Sequence, residues 1–264
     1  MLTEARNQLK VILLSVKYNI MREMTNRTTF LTNIFFMILN NSTFIIQWLI
    51  LFRLKNNVGG YGFNEVMTLW GFGASTFGVA HIFFRKAFEL PDLIINGKLD
   101  AFLVQPKSVL LGVITSATST SAIGDVIYGY IILVVFNFSI SNLFFFTLFT
   151  ITGGVILTAF AVITGSLSFW LVKADILSNN LISVMVSVST YPDGIFKGFV
   201  RLLLYTVIPT GFAVYLPVRL MIRFRLEVLL GVLGFTAAIC GLAVLVFYKG
   251  LKRYSSSSLM SARI

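Results

Sequence analysis

Long apolar runs constrain this chain more than any other feature. The stretch from Leu143 to Val172 contains no charged residue, and about 20 apolar residues are enough for one helical crossing of a bilayer. Over the whole chain 57% of the residues are hydrophobic and only 12% are charged, whereas soluble domains have about 25% charged residues. The sequence therefore predicts an integral membrane protein and excludes a soluble globule, a collagen, a disordered chain and a disulfide scaffold.

The apolar runs predict an all-α fold with six transmembrane helices, in a single transmembrane domain over residues 1–264. The predicted spans are residues 27–53, 64–84, 109–136, 143–172, 176–192 and 226–248. Before them, apolar residues recur at helical spacing from Leu2 to Ile20, with basic residues between them. This pattern predicts an amphipathic helix over residues 1–26 that lies on the membrane surface, against the alternative of a solvated tail.

Two of the predicted spans contain polar residues that require partners. The first span carries the amides of Asn33, Asn40, Asn41 and Gln47, and we expect them to face other helices because an amide is costly in lipid. Asp125 is the one acidic residue deep inside a predicted span. It is either a polar point on a transport path or a lock between helices, or it lies near the membrane surface.

The longest polar interruption, residues 85–107, predicts a short helix of its own. Pro91 suits the first position of a helix, and Asp92 favours its positively polarised start. The glycine after Asn96 would end the helix. If exposed, Leu93 and Ile94 with the charges around them would form a docking surface; the alternative is packing of the loop against lipid headgroups.

Prolines break the apolar sequence before the last span, in residues 193–217. Proline has no backbone N–H and so removes a hydrogen-bond donor. Broken backbone at membrane depth is tolerated only where it is buried in protein or lines an aqueous cavity. We therefore predict that this segment enters the membrane without crossing it. The predicted bend residues are Tyr191, Pro192, Gly194, Gly198, Pro209 and Pro217.

Basic residues near the spans set the orientation of a membrane protein. If residues 199–217 do not cross, both termini and the 85–107 loop lie in the cytoplasm, and Arg219, Arg223 and Arg225 lie outside. If they cross, the basic carboxyl tail lies outside instead, so charge alone leaves both topologies open. We expect the net charge of +11 to meet anionic lipid headgroups rather than nucleic acid.

The residue patterns of catalysis and metal binding are missing from the sequence. The one Gly-Lys pair, Gly97-Lys98, is followed by Leu99, whereas a phosphate-binding loop requires serine or threonine there. One histidine and one cysteine do not supply the clustered ligands of a zinc site. We interpret His81 as a packed or hydrogen-bonded core residue. The sequence predicts no catalytic residue, no metal site and no cofactor bound by this chain.

Several short motifs, in order along most of the chain, resemble those of the type-2 (ABC-2) exporter permeases, the membrane subunits of ABC transporters. The similarity is greatest to a bacterial branch of largely uncharacterised permeases. The motifs are Gly60-Tyr61-Gly62, the run from Ile95 to Leu103 with Gln105-Pro106, Gly124-Asp125, Tyr191-Pro192, Ile208-Pro209 and Tyr215-Leu216-Pro217.

This resemblance implies a permease of the bacterial plasma membrane that exports an amphiphilic or peptide-like substrate. It implies a cytoplasmic coupling helix between spans two and three, an external re-entrant segment before span six and cytoplasmic termini. Two permeases, identical or different, would pair with two separate ATPase subunits that bind ATP and Mg²⁺. The residues implied to couple to the ATPase are Glu89, Leu90, Pro91, Asp92, Leu93, Ile94, Gly97, Lys98 and Asp100.

Two other functions remain as alternatives. An ion-driven secondary transporter usually has several intramembrane ionisable groups and an internal repeat, whereas this sequence has Asp125 alone and no repeat. A membrane scaffold without transport activity would use the short helix at Pro91 to bind some other soluble protein. The identity of the cytoplasmic partner distinguishes all three functions.

Overall fold

A computed structural model describes residues 2–105, 108–171 and 173–255. These residues form α-helices and no strand. The helices are α1 (Leu2–Glu23), α2 (Arg27–Leu54), α3 (Phe63–Phe84), α4 (Leu90–Ile95), α5 (Asp100–Leu103), α6 (Val109–Ile114), α7 (Ser121–Asn137), α8 (Ile140–Ser166), α9 (Ala174–Ser189), α10 (Gly198–Thr206), α11 (Leu216–Ile222) and α12 (Leu226–Leu251). The ends of the predicted 85–107 loop and 143–172 span, and the serine-rich tail from residue 256, lie outside the described residues.

Four helical stretches in the described residues are long and apolar enough to cross a membrane. They are α2, the run Phe63–Ile95 that contains α3, the run Ile140–Phe169 that contains α8, and α12. A fifth candidate is the pair formed by α10 and the helical stretch Gly211–Ile222, which are bent by 78° relative to each other. The apolar helices α7 and α9 are shorter. An all-helical membrane fold is thus confirmed, with four or five candidate spans.

The third predicted span is not one helix. It is divided into α6 and α7, and residues 115–120 between them are non-helical. Six of the seven residues at 115–121 are serine or threonine, whose hydroxyls compete for backbone carbonyls. Thr115 Oγ1 donates to the Leu111 carbonyl at 2.7 Å, and Ser116 Oγ donates to the Val113 carbonyl at 2.7 Å. Of the range 109–136 predicted to contain the third span, the longer apolar helix is therefore α7.

The centre of the bundle is the contact between α3 and α7, where glycines let the two backbones approach. Gly71 and Gly78 of α3 and Gly129 of α7 lie in this contact. A Cβ atom at Gly129 would overlap Ser75 Oγ and the Gly71 carbonyl oxygen. Because α3 also packs against α2, α8 and α9, it holds the other helices in position.

The glycine contact predicts a difference in stability between two alanine variants. Gly129→Ala should lower the free energy of unfolding by about 1–3 kcal/mol, because the methyl group has no room in the α3–α7 contact. Gly234→Ala is the control, since a Cβ at this position in α12 meets nothing within 4 Å. Thermal unfolding of the two purified variants in detergent measures the effect. Equal melting temperatures would contradict this account of the contact.

Candidate functional site

The predicted short helix in the 85–107 loop exists as α4, with Pro91 in its first turn. The chain leaves it through Gly97, whose φ of +68° favours glycine. The Asp92 carboxylate then holds the loop together. It accepts hydrogen bonds from Asn96 Nδ2 at 2.5 Å and from Lys98 Nζ at 2.8 Å. These hydrogen bonds join the first turn of α4 to the residues that follow it.

The apolar side of α4 is buried, contrary to the expectation that Leu93 and Ile94 would be presented at the surface. Leu93 is 5% exposed and Ile94 is fully buried. Leu90 and Pro91 pack beside Gly165 near the end of α8, and α4 also contacts α9. The apolar face of α4 is buried because removing apolar surface from water is favourable. The exposed side chains are polar: Asp92, Asn96 and Lys98.

A groove of about 430 Å³ separates α4 from the start of α9. Its walls carry carboxylates and amides around a few apolar side chains, and they consist of Phe88, Glu89, Pro91, Asp92, Ile95, Asn96, Asp175 and Asn179. Two cations already surround Glu89: Arg85 Nε lies at 3.3 Å and Lys86 Nζ at 2.5 Å from its carboxylate. The groove and the polar side of α4 form one continuous surface, here called the α4 surface.

Three other elements lie at the same end of the bundle as the α4 surface. Asn19 of α1 donates to the Thr115 carbonyl at 3.3 Å. Tyr248 near the end of α12 is hydrogen-bonded to Ser108, with an O–O distance of 3.0 Å. Burial and the nearby Asp100 carboxylate raise the pKa of Tyr254 to about 12. Both α1 and the chain after α12 therefore meet the bundle at this end, called the α4 end.

His81 lies near the α4 end as a packed core histidine, in agreement with the sequence interpretation. Its ring stacks between Phe77 and Phe88, with centroid distances of 3.8 and 4.0 Å. Its Nδ1 lies 3.1 Å from the Phe77 carbonyl oxygen. No group of three or more potential metal-ligating residues occurs in the part of the chain that the structure describes.

A buried carboxylate that the sequence analysis missed organises the opposite end of the bundle. Asp193 is fully buried and accepts hydrogen bonds from Tyr61 at 2.9 Å, Tyr205 at 3.2 Å and Arg219 at 2.5 Å. Arg201 lies 3.6 Å away. Burial raises the pKa of Tyr61 above its usual value, and the Asp193 charge raises it further. The Tyr61 hydroxyl therefore stays protonated and available as a donor.

Glycines bring the segments of this cluster together. A Cβ at Gly194 would overlap the Gly59 carbonyl oxygen, so the two backbones touch. Gly59 and Gly60 have φ of +60° and +88°, a turn that suits glycine. Trp48 at the end of α2 also contacts Tyr191, with ring centroids 6.0 Å apart. The motifs around Tyr61 and Tyr191, distant in sequence, thus meet at one point.

The predicted bend residues are distributed over a longer segment than the sequence indicated. Gly198, with φ of +56°, begins α10, and Pro209 lies in the break before the Gly211–Tyr215 π-helix. Pro217 does not end the segment, because it lies in the first turn of α11, where a missing N–H is tolerated. The helix therefore continues to Ile222. Arg219 lies on this extension, so one member of the Arg219–Arg225 cluster has a buried partner.

Asp125 is buried between α7 and α2. Asn41 Nδ2 donates to its Oδ1 at 2.6 Å, and its Oδ2 has no hydrogen-bond partner among the described residues. Asn41 therefore faces another helix, as expected. Asn40 and Gln47 are exposed on α2 and make no hydrogen bond to another helix among the described residues. Asn33 Nδ2 lies 3.5 Å from Thr120 Oγ1.

The Asp193 cluster predicts unequal effects for arginine substitutions. Arg219→Gln should lower the free energy of unfolding by about 2 kcal/mol, because it removes a hydrogen bond between charged groups from a buried carboxylate. Arg223→Gln, at an exposed residue without an ion pair in the described structure, should change it by less than about 0.5 kcal/mol. Thermal unfolding in detergent compares the two, and a larger loss for Arg223→Gln would contradict the assignment.

Comparison with known proteins identifies the family. A family model described as "ABC-2 family transporter protein" matches residues 38–258, a range that includes α4, Asp125 and the Asp193 cluster. Comparisons with curated proteins and with solved structures found no match. Members of this family are membrane components of transport systems and are not themselves catalytic. Because the match covers most of the chain, this multi-pass membrane protein belongs to the ABC-2 transporter family.

Proposed function

We propose that this chain is the permease subunit of an ATP-driven exporter in a bacterial plasma membrane. It would work with separate nucleotide-binding ATPase subunits and with a second permease, identical or different, and would export an amphiphilic or peptide-like substrate. The α4 surface carries this proposal. It is a polar surface, with Asp92 hydrogen-bonded to Asn96 and Lys98, on a helix whose other side is packed among the long helices of the bundle.

The packing of α4 supports a role in coupling. Leu90, Pro91, Leu93 and Ile94 are buried, and α4 contacts both α8 and α9. Because packed interiors transmit displacement, a partner that moves the polar side of α4 would also move these two helices. ATP and Mg²⁺ would be bound by the partner, since the sequence of this chain has no phosphate-binding loop.

Contacts at the helix ends support six crossings. Helix α7 begins beyond Ser119, whose N–H donates to the His81 carbonyl at the α4 end. It ends where Phe136 packs against Phe63 at the start of α3. Helix α9 begins beside α4 and ends near Tyr191, at the Asp193 end. Added to the four long stretches, these two shorter helices would make six spans.

The same kind of contact supports a re-entrant segment. Asp193 precedes α10, and Arg219 lies on α11, yet the two side chains are in contact. Both ends of the bent helix pair therefore lie at the same end of the bundle. On this topology the α4 end would be cytoplasmic, together with both termini and the basic residues after α12.

Helix α1 has the surface expected of a helix at the lipid headgroups. Its exposed side chains include Val11, Leu13 and Leu14, and Lys10 and Lys17 are also exposed. Apolar residues that enter the interface and lysines that meet anionic lipid are typical of such helices. We propose that α1 lies on the cytoplasmic surface beside the α4 surface.

Purification of the tagged chain from its native cell in mild detergent tests the proposal. We expect a nucleotide-binding subunit to co-elute in stoichiometric amount, identified by mass spectrometry, with vanadate-sensitive ATPase activity. A chain that elutes without an ATPase in several detergents would contradict the proposal. It would favour an ion-driven transporter or a scaffold instead.

The α4 surface also predicts how charge reversal affects the complex. Asp92→Arg should weaken ATPase binding by about tenfold, or about 1.4 kcal/mol, because it disrupts the exposed Asp92–Asn96–Lys98 arrangement without touching the packed side. Glu227→Lys, an exposed charge reversal at the other end of the bundle, is the matched control and should leave binding unchanged. Binding is measured by titrating labelled ATPase against each purified variant.

Leu93→Ala serves as a second control, since this side chain is buried. We expect it to lower the melting temperature by creating a cavity, and to do so by more than Asp92→Arg, which removes only exposed hydrogen bonds. If Asp92→Arg lowered the melting temperature and left ATPase binding intact, α4 would be a structural element only.

A further inference from the structure

Two arginines approach the same oxygen atom of the Asp193 carboxylate. Arg219 Nη2 donates to Asp193 Oδ2 at 2.5 Å. Arg201 Nη2 lies 3.6 Å from this oxygen, which is an ion pair but too long for a hydrogen bond. Arg201 lies on α10 and Arg219 on α11, so the bent helix pair brings the two guanidinium groups together. We call these two side chains the arginine pair.

The arginine pair carries more positive charge than Asp193 neutralises. Two guanidinium groups, which stay protonated in proteins, face one carboxylate. The other hydrogen bonds of this carboxylate come from the hydroxyls of Tyr61 and Tyr205, at 2.9 and 3.2 Å, and these donors are neutral. One positive charge is therefore left over at this site.

Both members of the arginine pair are accessible from outside the bundle, although Asp193 is not. The side chains of Arg201 and Arg219 are 47% and 42% exposed, and that of Asp193 is 1% exposed. A guanidinium group has five N–H donors in a planar fork. Arg219 uses one of them on Asp193, and Arg201 uses none there. Donors therefore remain on both groups for an acceptor that is not part of the described chain.

The whole Asp193 end has an excess of basic residues. Ring contacts bring together the segments 48–66, 134–146 and 188–230 at this end. Their basic residues are Arg53, Lys55, Lys197, Arg201, Arg219, Arg223 and Arg225, and their acidic residues are Glu65, Asp193 and Glu227. Glu65 accepts the Gly62 N–H at 2.8 Å. An anion at this end is therefore attracted by several charges.

Exposed apolar side chains lie next to these cations in the sequence. The residues around Arg201 are 48–71% exposed, and they are Phe199, Val200 and Leu202. Residues 222–226 alternate between apolar and basic, and all five are exposed. Apolar residues interleaved with basic ones are typical of segments at the boundary between lipid headgroups and acyl chains. This composition favours an anion that is carried by a lipid over one dissolved in water.

We infer that the arginine pair binds the phosphate group of an anionic phospholipid, with the exposed apolar residues of α10 against its acyl chains. A guanidinium fork can donate to two phosphate oxygens at once. A lipid with a net negative charge also neutralises the positive charge that Asp193 leaves over. The inference goes beyond the exporter function, since it requires no ATPase and holds for either orientation of the chain in the membrane.

Lipid titration of the purified full chain tests this site. The delipidated chain in a non-ionic detergent is titrated with phosphatidylglycerol or with phosphatidylcholine of the same acyl chains, and native mass spectrometry gives the Kd of the first adduct. Phosphatidylglycerol should bind at least about tenfold more tightly, because the choline cation offsets the phosphate charge of the other lipid. Equal affinities for the two lipids would overturn the inference.

Arg201→Gln is the test variant, because it leaves the hydrogen bond between Arg219 and Asp193 in place. It should weaken phosphatidylglycerol binding about fivefold, the effect of one basic residue at an anionic membrane, and leave phosphatidylcholine binding unchanged. Arg223→Gln removes the same charge from an exposed position at the same end. This matched control should weaken binding by less than about twofold, because salt screens a charge that does not contact the phosphate. Equal losses in the two variants would mean diffuse attraction and no defined site.

Arg201→Lys takes the place of Arg201→Gln if the glutamine variant is unstable. It keeps the charge beside Asp193 and loses only the planar fork, so phosphatidylglycerol binding should still weaken by about two- to threefold. An unchanged affinity in this variant would remove the arginine pair as the site.

Inorganic phosphate distinguishes a lipid site from a site for a free anion. At millimolar concentration it should leave phosphatidylglycerol bound, because it lacks the acyl chains that contact α10. Displacement of the lipid from the unaltered chain, but not from Arg201→Gln, would show that the arginine pair takes a dissolved anion and would overturn the lipid assignment. None of these measurements involves the ATPase, so the lipid site and the exporter function can fail separately.

Discussion

The cost of an unpaired polar group away from water is the constraint on which the rest of this structure depends. In a chain that is 57% hydrophobic, each buried polar side chain requires a partner or access to water. Asp193 has four partners from three segments. Asp125 has one, on α2. The exposed amides of Asn40 and Gln47 on α2 have none among the described residues.

Both ends of the bundle are stabilised by close packing and by hydrogen bonds to a carboxylate. At the α4 end, an apolar helix side is buried, and the polar side is fixed by hydrogen bonds among Asp92, Asn96 and Lys98. At the other end, the backbones of Gly59 and Gly194 touch, and the Asp193 carboxylate joins the loop before α3 to both limbs of the bent helix pair. Between them, α3 contacts α2, α7, α8 and α9. A displacement of α4 therefore has a continuous packed route through α8 and α9 toward the Asp193 end.

Hydropathy and local helix signals predicted most of the elements. The spans predicted at 27–53, 64–84 and 226–248 correspond to α2, α3 and α12 with small differences at the ends, because a long apolar run has no other way to satisfy its backbone in lipid. Pro91 and the following glycine predicted α4 for local steric reasons. The break at residues 115–120 was missed because hydropathy averages over a window, although the serines and threonines there were a readable signal.

The sequence by itself determined the membrane class, most of the helical segments and the bend before the last span, because these follow from local chemistry and from the length of each apolar run. Only the tertiary structure decided which side of each helix is buried and which polar groups are paired. Leu90 is buried because α8 has room for it beside Gly165, and Tyr61 reaches Asp193 although 132 positions separate them. Such pairings depend on the rotation and neighbours of several helices at once, and no local pattern in a single sequence specifies them.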